Sequence, residues 1–206
     1  MKKIILAVIS AFFLTVSANA ETFDSVCKNL SGRPNMTGNF SQVKTISAVG
    51  RSMKSSGTFI FSLDGIMWKT EKPFPSTMVV GMTSVKQTLA NGKETVIDAS
   101  SNQIFTSIST TLNAMFSGNS EVLQNNFDVD FSFSGSDWKA VLLPKDNMVK
   151  KILQSLSISG KAASDYADLN TIVMSEANGH SITYNFTNQK YPKELTADEK
   201  AYFSSK

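Results

Sequence analysis

The chain has one cysteine and one histidine among 206 residues, and each scarcity removes a class of chemistry. A single cysteine cannot close an internal disulfide, so stability must come from packing. No nucleophile elbow, phosphate-cradling glycine loop or cluster of metal ligands is present, and neither a cofactor nor a metal is expected. Catalysis would have to rest on carboxylates or lysines. Asp128 and Asp130 share one face of a strand, but alternation makes that a solvated face rather than an acid–base pair. His180, after Asn178-Gly179, is expected to be an exposed turn residue, and Cys27 a small core residue on a short helix.

Charge is scarce as well. Lys2 and Lys3 supply two of the net +3, and the remaining +1 gives no electrostatic reason to expect nucleic acid as a partner. Long apolar runs are missing: the one from Ile4 to Val16 falls short of the roughly 20 residues of a membrane span. With Lys2-Lys3 before it and Ser17-Ala18-Asn19-Ala20 after it, this run reads as a secretory signal cleaved after Ala20. Cys27 lies beyond that cut, so lipid attachment to the chain itself is not expected. Residues 1–20 are thus a signal peptide and 21–206 a single periplasmic domain, of a size that buries about 70% of its unfolded surface.

What is present is β-rich. Residues 21–30 carry Phe23, Val26, Cys27 and Leu30 at helical spacing. Strands are predicted over 39–49, 57–63, 66–70, 77–82, 84–90 and 94–99, with Asp64-Gly65 and Asn91-Gly92 as two-residue hairpin signals. The pattern turns helical over 105–123, where Ile108, Leu112, Met115 and Phe116 fall on one side. Strict alternation returns at 127–133 and puts three Phe residues and Val129 on one face. Gly135-Ser136 turns this strand into 138–143, and further strands are predicted over 152–159, 170–176 and 181–187. A terminal helix over 197–203 is capped by Thr196 with Glu199 three residues on.

Fourteen Phe and nine Met dominate the apolar inventory, and Phe59-Ile60-Phe61 is apolar on both faces of its strand. A half-buried antiparallel strand needs only one apolar face, so this one requires two apolar neighbours. A helix can be one. The other can be a ligand cavity or the second half of an ordinary sandwich core.

Phe40-Ser41-Gln42, Gly57-Thr58-Phe59-Ile60-Phe61, Trp68, and Pro73 followed by Val79-Val80 resemble the periplasmic lipoprotein carrier family known as LolA. Trp68 to Thr77 and the ending Leu195-Thr196-Ala197-Asp198-Glu199 look like the subgroup associated with aryl polyene-type lipid clusters. The resemblance implies an unclosed antiparallel β-barrel, a strongly curved sheet whose concave face is covered by a helical lid. It implies carriage of the acyl chains of a lipoprotein or related lipid, by a monomer, from an inner-membrane transporter to an outer-membrane acceptor. On the same basis the concave lining includes Phe59, Phe61, Ile66, Trp68, Met78 and Val80, while Leu112, Met115 and Phe116 sit on the lid. Alternation alone does not say which strand parity faces inward. In that family an Arg latches the lid, and its nearest match here is Ser62, whose hydroxyl cannot replace a guanidinium's fork of donors. The rival readings are a structural or interaction protein of the cell envelope with no cavity, and a lipid or ester hydrolase, for which no triad is found.

Overall fold

The computed structural model describes residues 21–81, 84–98 and 103–204, without the side chains of 103–109. The predicted signal at 1–20 lies outside the described residues, as do the side chains of Phe105 and Ile108. Helix α1 (Phe23–Ser31) starts where Thr22 and Ser25 cap each other reciprocally, and it buries Phe23, Val26, Cys27 and Leu30. A meander follows: β1 (Met36–Ile46), a short 3₁₀ turn, β2 (Arg51–Ser62), β3 (Gly65–Lys72), β4 (Ser76–Val80), β5 (Ser84–Leu89) and β6 (Glu94–Asp98). Helices α2 (Gln103–Phe116) and α3 (Ser120–Asn126) then interrupt the strands. The second run is β7 (Phe127–Ser134), β8 (Asp137–Pro144), α4 (Asn147–Lys150), β9 (Leu153–Ala163), β10 (Tyr166–Ala167), β11 (Thr171–Glu176) and β12 (Ser181–Lys190), before α5 (Ala197–Ala201).

All pairings are antiparallel, in the order β6-β5-β4-β3-β2-β1-β12-β11-β9-β8-β7, with β10 added to β9. Strands β6 and β7 stand at opposite ends and do not pair, so the sheet is not closed. The long pairing of β1 with β12 joins the two meanders and places the first and last strands of the chain side by side at the centre.

Several boundaries differ from the predicted ones for identifiable reasons. Strand β2 begins six residues early because its polar start at Arg51 pairs with the end of β1. The Asp64-Gly65 signal is displaced by one: Ser62 pairs with Gly65, leaving Leu63-Asp64 as the loop. Ser62 Oγ accepts the Asp64 N–H at 3.1 Å, which holds the turn without positive φ at Asp64. Ala90-Asn91-Gly92 is a three-residue loop in which only Gly92, at φ 78°, takes the left-handed conformation. Gly57 is fixed by space, not by φ. A Cβ there would stand 1.9 Å from the Lys69 carbonyl oxygen, beside a bulge between β2 and β3.

The strands that are apolar on both faces find two neighbours, but the second differs from the one expected. Inward, Phe59 and Phe61 join the main core beneath the helices. Outward, Ile60, Met67 and Val79 are covered by the C-terminal segment through Leu195, Tyr202 and Phe203. The segment is held by α5, whose Thr196 and Glu199 form the predicted capping box. Arg33 pairs with Asp168 at 2.7 Å and stacks on Tyr191, its guanidinium 4.5 Å from the ring centre.

Candidate functional site

Residues directly opposite in an antiparallel sheet share a face, so the register writes the concave wall as rows. The deepest row crosses six strands: Met36, Phe61, Ile66, Val80, Val85 and Ile97. Exposure along it stays at 3% or less as far as Val85 and rises to 37% at Ile97, so cover is lost toward the β6 edge. The next row runs through Phe59, Trp68 and Met78 to Gln87. All six expected wall residues therefore lie on one face, and that face is the inner one. Five are buried, and Met78 is half-buried against the same core.

The lid residues meet them. Leu112, Met115 and Phe116 of α2 are buried in the same cluster, with the Phe116 ring 6.0 Å from Phe61. Helix α1 lies beside α2, and α2 packs on β3. Between residues 110–116 of α2 and the strands there is no side-chain hydrogen bond. Ser62, at the position nearest the family's latch arginine, is engaged in its own turn. Over residues 110–116 the cover is held by apolar contact.

Around Phe61 the wall is aromatic. Its ring lies 4.8 Å from Phe59, 5.3 Å from Phe186 and 5.6 Å from Trp68, and Tyr184 closes the group at 5.9 Å from Trp68. Such tilted and edge contacts contribute about 0.5–1.5 kcal/mol each beyond area burial. Phe40, Tyr184 and Phe186 were not among the expected wall residues. The alternation Ile182, Tyr184, Phe186 in β12 was the available signal, but it needed the β1–β12 pairing to carry it to this face. Burial pushes the Tyr184 phenol up to about 12.

Polar groups inside this core are few. Trp68 Nε1 and Thr111 Oγ1 are enclosed and, among the described residues, have no hydrogen-bond partner. Trp138, the second indole, donates to the Asp168 carbonyl at 3.1 Å. Cys27 lies fully buried, as expected, and its thiol is pushed up to about 12 by burial, with Asp24 adding to the effect. Asp128 and Asp130 are exposed. His180 is half-buried rather than exposed, with Nδ1 enclosed, because its turn is tied by a hydrogen bond from Ser47 Oγ to the Gly179 carbonyl.

Two cavities open on the convex side. One of about 800 Å³ lies beside α5, between Thr58, Ile60, Met67, Lys69, Glu199 and Tyr202. The other, about 410 Å³, has mostly polar walls on β7 to β9. Among the described residues no helix is long and apolar enough to cross a membrane.

No curated protein matches this chain. Solved structures share its fold, two of them as follows. A domain from Vibrio parahaemolyticus, described as outer membrane lipoprotein-sorting, is 10% identical with a TM-score of 0.50, covering 88% of this chain and 98% of its own. A DUF1329 family protein from Desulfovibrio piger is 10% identical with a TM-score of 0.50, covering 88% of this chain and 94% of its own. Residues 32–201, from the start of the meander through α5, match the family described as outer membrane lipoprotein carrier protein LolA. That span takes in every strand and helices α2 to α5, and the chain is a member of the LolA family.

Proposed function

We propose that the mature chain shelters the acyl chains of a lipoprotein or related lipid in the periplasm and carries them from an inner-membrane transporter to an outer-membrane acceptor. The signal at 1–20 delivers it there and is cut after Ala20. The observation that supports this best is the pairing of an aromatic concave wall with a helix held on it by apolar contact.

The energetics follow from that pairing. Each methylene taken out of water contributes about 0.8 kcal/mol, so two acyl chains in a groove of this kind are held strongly. A carrier must also release them. Leu112, Met115 and Phe116 already fill the wall, and burying each is worth about 1.5–3 kcal/mol. Incoming hydrocarbon displaces the lid and gains only the difference. The closed conformation is the empty one, and binding needs no bond chemistry.

Phe61→Glu or Trp68→Glu should abolish lipid pickup with the far-ultraviolet circular dichroism preserved, and Met78→Gln, at a half-buried wall position, should weaken it. Unchanged pickup by all three variants would count against the groove. The tightly filled interior also suits an envelope structural protein. Native mass spectrometry of protein taken from periplasm without detergent separates the two: a bound acyl species supports the carrier, and a bare chain supports the structural role.

A further inference from the structure

Among the described residues three enclosed polar atoms have no hydrogen-bond partner: Trp68 Nε1, Thr111 Oγ1 and His180 Nδ1. Two can be satisfied by local adjustment. A threonine hydroxyl inside a helix rotates toward a carbonyl of the preceding turn, and a histidine can change which nitrogen carries its proton. Trp68 has neither recourse. An indole nitrogen is a donor only, fixed in the ring plane, and Trp68 is 7% exposed on the inner face of β3.

Among the described residues Trp68 Nε1 makes no hydrogen bond. Phe59 and Met78 stand opposite it on the neighbouring strands, and the Phe61 and Tyr184 rings lie 5.6 and 5.9 Å away. A buried donor left unpaired is costly and rare, whereas the other indole of this chain is paired. Phenylalanine would fill the same wall without that cost. The position also matters: Trp68 sits one row out from the deepest apolar row, on the strand that α2 covers. Hydrocarbon lying along Phe61 and Ile66 would bring the polar end of an acyl chain to it.

We propose that Trp68 Nε1 is a hydrogen-bonding station within the groove, donating to the carbonyl oxygen of an acyl ester, so that the site selects acyl esters over plain hydrocarbon or ether-linked chains. This rests on the carrier reading and adds a specificity-determining residue to it. Displacing the lid delivers the missing acceptor, so part of the discrimination appears only in the loaded state.

The test uses the full mature protein with two probes of equal chain length, a diacylglycerol and its dialkyl ether analogue. The ester should bind about three- to tenfold tighter, the range of one net hydrogen bond. Ester binding should also shift indole emission, a change attributable to Trp68 because Trp138 is already bonded. Trp68→Phe, which keeps an apolar ring, should bind both probes as the ether binds to the native chain. Equal affinity of the native chain for ester and ether overturns the station while leaving the carrier intact, as does full ester preference in Trp68→Phe. Failure of the native chain to bind either probe overturns the carrier reading and the station with it.

Discussion

At the scale of single residues, Gly57 shows how a motif position is fixed by contact. Any Cβ there collides with the Lys69 carbonyl, a backbone atom that cannot swing aside. Gly57→Ala should cost about 1–3 kcal/mol, the range for overpacking, and chemical denaturation should show it as a lower midpoint. Burial also sets the alkaline limit of the fold. Cys27 rises from 9.0 to about 12, and Tyr184 from 10.0 to about 12. Both are neutral when protonated, and the unfolded chain releases these protons first. Stability is therefore full below about pH 9 and falls between pH 9 and 12, by at most about 1.4 kcal/mol per pH unit for each group. Denaturation midpoints over that range, with Cys27→Ala as comparison, check the sign. The native thiol should meanwhile resist aqueous thiol reagents at neutral pH.

At the scale of elements, the sequence carried the meander well because its signals are local. Alternation marks the inward Phe residues of β7, and the capping pair at Thr196 and Glu199 marks α5. What escaped it was relational. Nothing local in Ile60, Met67 and Val79 says that a segment more than a hundred residues later will cover them. The two-faced strand was recognised, but its outer neighbour was not. Likewise β10 is too short to carry a pattern, and it exists because β9 continues past Gly160 and offers it an edge. Deleting residues 194–206 should uncover the outer patch and leave the inner wall complete. The expected result is a lower melting temperature and binding of a hydrophobic dye, with lipid pickup retained. The milder Thr196→Ala should lose about 1 kcal/mol through the cap.

At the scale of the whole molecule, protection from solvent is graded across the sheet. Strands β1, β2 and β12 have partners on both sides, whereas every residue of β6 is exposed. Amide hydrogen exchange should be slowest at that centre and fastest at β6, with α2 opening more readily than the central strands because its described residues 110–116 meet them through apolar contact. If α2 exchanges only with global unfolding, the displaceable-lid mechanism fails. A closed barrel has its diameter set by strand number and stagger, like a hoop of fixed gauge. This one is a clasp. Because β6 and β7 are not paired, its two margins can spread or draw together without breaking a ladder, and on the carrier reading guests of different girth would be admitted at the expense of bending alone.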